Sequence, residues 1–192
     1  KRRMAGIDVE VAVIAARQHS LITLDQLIRI GGNRQLAHRR VEAGLWRRVE
    51  PRVYFVCGHP FTWEARQLAP VLSAGHGALA SHRAGAVQWG VEGFRRGRPE
   101  ISVHRHRRPK DVNARVHEST DLHLADPVVI RGIPTTGLVR TLLDVGSVIS
   151  LDALEHAIDS TLRTTSAEWP DLYDSLVLHS RRGRNGCGRL RA

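Results

Sequence analysis

The stretch LITLDQLIRIGGNRQLAHRRVEAGLWRRVEPRVYFVC, from Leu21 to Cys57, constrains this chain more than any other. Its hydrophobic period switches from helical to alternating within a few dozen residues, so it must build two helices and a hairpin in quick succession. Thr23-Leu24-Asp25-Gln26 has the form of a capping box, a hydroxyl at the N-cap with Gln three residues on. The helix it opens carries Leu24, Leu27, Ile28 and Ile30 and stops at Gly31-Gly32, because glycine takes the left-handed conformation that ends helices. Asn33 is a good N-cap for a second helix, Arg34 to Ala43, closed by Gly44.

In that second helix Leu36, Ala37 and Val41 can face inward. Gln35, His38, Arg39 and Glu42 recur at i, i+3, i+4 and i+7 and share the opposite face. After Gly44 the period becomes two. Leu45–Val49 and Val53–Cys57 read as strands, with Glu50-Pro51-Arg52 as their turn. A short strand, two helices joined by a glycine turn and a hairpin form the order of a winged helix-turn-helix. Its exposed cations are Arg34, at the end of the helix where such folds place base contacts, Arg39, and the hairpin arginines Arg47, Arg48 and Arg52.

Charge supports a polyanionic partner. The net charge is +10, and the 29 basic residues are all arginine except Lys1 and Lys110. Arginine forms bidentate contacts with phosphate and guanine, although a biased base composition in the gene produces the same enrichment. The distribution is more telling than the total. Residues 1–60 hold 11 basic and 5 acidic side chains, residues 61–110 hold 9 and 3, and residues 111–180 reverse the balance with 4 and 11. One part of the chain is therefore built to face a polyanion and another is not.

Ile7 to His19 is expected to be a helix covering the first unit with Val9, Val13 and Ala16, aided by Ala12 and Ile14. The unit ends near Gly58-His59-Pro60, giving a first domain of residues 1–60 and a second of 61–192. In the second, Thr62 caps a helix to Ala74 that Pro70 should kink or shorten. Strands follow at 78–80, 101–104, 115–117 and 128–130, with helices at 82–89, 138–145, 151–164 and 169–179. The fold class is α+β: a winged helix-turn-helix, then a mixed α/β domain. No signal peptide and no apolar run of membrane-spanning length is present. Cys57 and Cys187 are far apart in sequence, so Cys57 is expected to pack at the end of the hairpin and Cys187 to be a free thiol; a cytoplasmic protein is implied.

With these segments in view, the chain resembles the antitoxins of the type IV abortive-infection toxin–antitoxin systems, the AbiEi family. The resemblance rests on LITLDQL, the Arg-rich helix into GLWRRVEPRVYFV, then ALASHRAGAVQWGV, ISVHR and GIPTTGLVRTLLDV, which follow one another over most of residues 5–190. It implies an N-terminal winged helix that binds double-stranded operator DNA and represses its own operon, a nucleoid-associated role. It also implies a C-terminal domain that opposes a nucleotidyltransferase-like toxin, with or without direct contact. By matching position Asn33, Arg34, Gln35, His38 and Arg39 take the DNA-reading role, and Arg47, Arg48 and Arg52 the wing role. A related set of proteins carries the same two domains ahead of a DNA-mismatch-endonuclase-like domain, so the alternative is the DNA-targeting portion of such a nuclease.

Catalysis is not expected. His104-x-His106 would put two imidazoles on one strand face, but no third ligand has suitable spacing. His82, after Ser81, reads as a buried, hydrogen-bonded histidine. Asp152, Glu155 and Asp159 recur at i, i+3 and i+7 and read as a solvated face, with Asp152 complementing the helix N-terminus. The residue two before Lys110 is Arg108 where a nuclease would need an acid, and no nucleophile elbow or phosphate-binding glycine loop occurs. No cofactor and no metal are expected. Arg95-Arg96-Gly97-Arg98, the run Arg105–Lys110 and, more weakly, the tail from Arg181 are supplementary backbone contacts or solvated loops.

Overall fold

A computed structural model describes residues 2–107, 109–164 and 169–179. The expectations for Cys187 and for the tail from Arg181 lie outside them. The first unit runs α1 (Arg2–Arg17), β1 (Leu21–Thr23), α2 (Leu24–Arg29), α3 (Arg34–Glu42), β2 (Trp46–Glu50) and β3 (Val53–Val56). The second runs α4 (Trp63–Ala74), β4 (Leu79–Ala80), α5 (His82–Trp89), β5 (Glu100–His104), β6 (Arg115–Ser119), β7 (Val128–Ile130) and β8 (Ile133–Thr135), then α6 (Leu138–Val145), α7 (Leu151–Thr164) and α8 (Trp169–His179). The chain is α+β, its described strands forming two sheets. No described helix is long and apolar enough to cross a membrane.

The capping box forms as written: the Gln26 N–H donates to Thr23 Oγ1 at 3.1 Å, and the Thr23 N–H donates to Gln26 Oε1 at 2.9 Å. Asn33 Oδ1 accepts the Leu36 N–H at 2.8 Å and starts α3. Between the two helices Gly31 takes φ +86°. Gly32 is needed for a different reason: a Cβ there would lie 2.5 Å from Leu27 Cδ1, so only glycine lets the turn close over α2.

The first sheet has the order β1-β3-β2 and is antiparallel throughout. Alternation assigns its two faces. Ile22, Tyr54, Trp46 and Val56 face Ile7, Val11, Leu27, Leu36 and Ala37 of the helices. Leu21, Val53 and Phe55 face the other way, into a core shared with Leu68 of α4, Ile101 and Ile133. Residue 60 therefore separates the sheets in sequence but not their packing. A bulge at Val49, between the pairs Arg48↔Tyr54 and Glu50↔Val53, turns Glu50 towards this shared core. The Glu50 carboxylate accepts the Asn113 N–H at 3.1 Å, Ser73 Oγ donates to the Pro51 carbonyl at 2.9 Å, and His19 Nε2 donates to the Arg131 carbonyl at 2.6 Å. These bonds cross from one unit to the other.

Two local expectations change, and the choice left open at Pro70 narrows. Helix α1 buries Ile7, Val11 and Ala15, with Ile14 partly covered, while Val9 and Val13 stay exposed. Both stripes are apolar at helical spacing, and the longer one, i, i+4, i+7, i+8, wins the contact. Helix α4 runs to Ala74 as expected, so Pro70, buried inside it, does not shorten it. Cys57 lies one residue beyond β3 and is exposed, not packed at the end of the hairpin.

The second sheet has the order β6-β5-β4-β8-β7, with β6–β5 and β4–β8 parallel and the other pairs antiparallel. Helices α5, α6 and α7 bury Ala86, Leu142, Val145, Leu154 and Ile158 together. Beside them Arg140 of α6 is buried with two carboxylates: its Nε donates to Asp144 Oδ1 at 2.9 Å, and its Nη2 is 3.4 Å from Asp121 Oδ1. Nη1 reaches the Asp121 carbonyl and Nη2 the Ser119 hydroxyl. Removing this guanidinium leaves two buried acids without their counter-ion. Arg140→Ala is expected to lower unfolding stability by about 3–5 kcal/mol, read from urea titrations; a loss below 1 kcal/mol would mean the pair of acids does not depend on it.

Candidate nucleic-acid interface

Helix α3 is held by Leu36 and Ala37, both buried, and presents Arg34, Gln35, His38 and Arg39 outward, all exposed. Arg34 and Arg39 make no ion pair among the described residues. His38 Nε2 lies 3.2 Å from Glu42 Oε1, with both side chains well exposed, so that contact is weak and exchangeable. Asn33 is exposed too, but its carbonyl oxygen is spent on the cap, which leaves its amide N–H groups able to reach outward. Arg40, which the pattern left without a role, grips Asp8 of α1 through Nη2 at 2.6 and 2.7 Å and ties α3 to α1.

The hairpin arginines do not act as one group. Arg48 pairs with Tyr54 and shares the sheet face that packs on α3, so it projects on that side. Arg47 pairs with Phe55 and points to the other face, where its guanidinium lies 5.6 Å from the Phe55 ring and 4.7 Å from the Phe61 ring. It is a cation stacked on two aromatics. Arg52 occupies the turn at φ +61°, and its side chain pairs with Asp25 at the start of α2. Both partners are more than half exposed, 56% and 67%, so Arg52 gives up little by exchanging Asp25 for another anion. The structure thus gathers Arg34, Gln35, His38 and Arg39 on one helix face with Arg48 on the same side of the sheet, and sends Arg47 away.

The second basic feature is anchored. Trp63 Nε1 donates to the Gly97 carbonyl at 3.2 Å, and Arg96 lies 5.4 Å over the Trp63 ring while its Nη2 donates to Glu64 at 2.8 Å. His104 ends β5 and His106 sits in the following turn at φ +69°, so the two imidazoles do not share a strand face. Arg108 lies outside the described residues. Asp152, Glu155 and Asp159 are all exposed on α7.

His82 is buried, as its setting after Ser81 suggested, with a denser surrounding than the sequence disclosed. Ser102 Oγ donates to Ser81 Oγ at 2.7 Å, and the Ser81 hydroxyl lies 3.0 Å from His82 Nδ1. Ser102 also pairs with His117 across the parallel β5–β6 ladder, and Glu100 shares the face of Ser102 two residues away. This brings His117 Nε2 to 3.1 Å from Glu100 Oε2 and stacks the His82 and His117 rings 3.4 Å apart. Nothing in the spacing pointed to Glu100 or His117, because their meeting depends on register alone.

Burial holds His82 well below its ordinary value, repulsion from His117 and then from Arg140 and Arg83 adds to this, and the attraction of Glu100 only partly opposes it. Burial by itself would raise Glu100, but the hydrogen bond from His117 and the charges of His117, His82 and Arg83 outweigh it and leave the carboxyl lowered. The ligand atoms of His82, Glu100 and His117 all lie within 4.8 Å of one another, close enough to consider a metal ion. The rings are nearly parallel, at 11°, and 3.4 Å apart, so a cation in the plane of one imidazole would lie well out of the plane of the other, where that ring's nitrogen lone pairs do not point. Arg83 and Arg115 also crowd the same carboxylate at 3.4 and 3.7 Å. The arrangement suits a hydrogen-bonded cluster better than a metal centre.

No family model matches the chain, and no curated protein sequence does either. Among solved structures the chain is similar to the RV2827C protein from Mycobacterium tuberculosis, with a TM-score of 0.54 and 14% identity over 93% of this chain and 72% of that one. At that identity the likeness concerns the fold.

The lowered His82 has a consequence for stability. The unfolded chain takes up a proton near 6.5 and the folded chain does not, so stability is lost as pH falls below about 6.5. The slope from this one group approaches about 1.4 kcal/mol per pH unit. His82→Asn, which tolerates the φ of +51° at this position, is expected to flatten that slope in urea titrations at pH 7.5, 6.5 and 5.5. An unchanged slope would mean that another group carries it.

Proposed function

We propose that residues of the first unit form a winged helix-turn-helix that binds double-stranded DNA, with α3 as the recognition helix and the β2–β3 hairpin as the wing. The observation that carries this reading is the α3 surface. Four polar or cationic side chains, Arg34, Gln35, His38 and Arg39, stand exposed on a helix whose other face is fixed in the core, with Arg34 in its first turn. A helix of this kind fits the major groove, where arginine pairs with guanine and glutamine with adenine. Arg48, and Arg52 once it releases Asp25, would hold phosphates beside it. Arg47, stacked on Phe55 and Phe61, contributes to the scaffold more than to the contact.

The biological role we infer is that of an autorepressor and antitoxin of a type IV, abortive-infection-like pair. Support comes from the ordered resemblance of its segments to that family and from the division between a basic first half and an acidic stretch over residues 111–180. The operator and a functionally opposed toxin are the partners this reading implies.

Fluorescence anisotropy on a duplex from the chain's own upstream region, against a scrambled duplex, tests the reading. Arg34→Ala and Arg39→Ala are expected to cost about 1–3 kcal/mol and to narrow the preference for the specific duplex. Arg48→Ala is expected to weaken both duplexes alike and to reduce the salt slope by about one. If Arg34→Ala lowers affinity equally on both duplexes, α3 is not the reading element.

A further inference from the structure

Two clefts in the second unit meet at Arg83 and Arg95. The first, 280 Å³, is lined by Arg83, Arg95, Arg98 and Arg115 around the single carboxylate of Glu100. The second, 380 Å³, shares Arg83 and Arg95 and is lined further by Phe94, Ile149, His156 and the carboxylate of Glu92. The first cleft therefore carries four guanidinium groups against one acid, and most of them are already fixed in place. Arg83 reaches the Val148 carbonyl and Glu100, Arg98 Nη2 donates to the Ala114 carbonyl at 3.4 Å, and Arg115 lies 3.7 Å from Glu100. Each guanidinium has five donors, so these anchors leave N–H groups for a ligand. Arg95, at the junction, makes no ion pair among the described residues.

Cations already held by the fold, Arg83 and Arg98 on backbone carbonyls and Arg115 beside Glu100, stay where they are when an anion arrives, and so lose little entropy on binding it. A phosphoryl group is the anion that fits several converging guanidinium groups, since each can bind two of its oxygens. The adjoining cleft offers what a bare phosphate would not use, an aromatic and an aliphatic side chain, Phe94 and Ile149, in a lining that also carries polar groups. Together the two volumes lie within the range of about 300–1,000 Å³ typical of small-ligand sites.

We propose that these joined clefts bind a nucleoside phosphate, with the phosphoryl group among Arg83, Arg95, Arg98 and Arg115 and the base against Phe94 and Ile149. The site is separate from α3, lies on different elements and does not rest on the DNA-reading role of that helix. The ligand is either a free mononucleotide or the phosphorylated end of a nucleic-acid strand, which share this chemistry.

Isothermal titration of the full chain with adenosine 5′-monophosphate, inorganic phosphate and adenosine tests the proposal. The monophosphate is expected to bind at least tenfold more tightly than either fragment. Arg95→Glu, an exposed substitution, is expected to weaken the monophosphate at least tenfold, and Arg98→Ala to weaken it several-fold, while Arg34→Ala leaves it unchanged. A 5′-phosphorylated single-stranded oligonucleotide that outbinds the mononucleotide identifies a strand end as the source; the reverse order identifies a free nucleotide. No binding of the monophosphate at millimolar concentration, or the same affinity in Arg95→Glu, overturns the proposal. A failure of sequence preference at α3 would leave this result untouched.

Discussion

The small sheet β1-β3-β2 is the element on which everything else depends, because both of its faces are buried. One covers α1, α2 and α3; the other closes the core shared with α4 and the second sheet. A sheet buried on two sides cannot slip by one residue without moving each apolar side chain to the wrong face. Its register therefore fixes where the arginines of β2 go. Arg48 and Arg47 are adjacent in sequence and alike in chemistry, yet one emerges beside α3 and the other lies on Phe55 and Phe61. The bulge at Val49 extends the same logic. By adding one residue it sends Glu50 inward to bond Asn113, so a hairpin that would otherwise end in solvent is held to the second unit. Burial raises the Glu50 carboxyl, the Asn113 N–H opposing it, which marks this as a contact made at some electrostatic cost.

What could be read from the sequence was what local chemistry decides. The Thr23 capping box, the Asn33 cap, the turn at Gly31-Gly32 and the alternation of the hairpin each involve partners a few residues apart, and each stands in the structure as its residues imply. The exposed face of α3 was legible for the same reason, since a helix nine residues long with Leu36 and Ala37 buried leaves few choices for the rest. The face of α1 was not. Val9 and Val13 also recur at helical spacing, and the competing stripe of Ile7, Val11, Ile14 and Ala15 differs from them chiefly in its greater length.

Long-range polar contacts were beyond the pattern altogether. Arg40 gave no sign that it belonged to Asp8, since α3 carries other arginines of the same chemistry. The meeting of His82, Glu100 and His117 requires β5 and β6 to be parallel and in one register, which no spacing along the chain encodes. The arginine cleft is a related case. Arg95 and Arg98 stood out in a charged run, but their convergence with Arg83 and Arg115 comes from α5, the loop before β5 and the start of β6 brought together by the fold. A run of charge in sequence says that cations are present; only the fold says whether they share a target.

That distinction bears on how a net charge of +10 should be weighed. Many of the arginines are already committed: Arg40 to Asp8, Arg140 to two buried acids, Arg96 to Glu64 and Trp63, Arg47 to two aromatic rings. An arginine engaged in this way supports the fold and adds only its diffuse field to attracting an anion. Among the arginines without an ion pair in the described residues, Arg34 and Arg39 on α3 and Arg95 in the cleft fall on separate surfaces. If total charge were the governing quantity, these positions would be interchangeable and any polyanion would bind with the same loss at each. The fold instead gives them different neighbours: an exposed polar helix face in one case, a cleft beside an aromatic ring in the other. Charge brings an anion to the molecule, and geometry decides which anion stays at which surface.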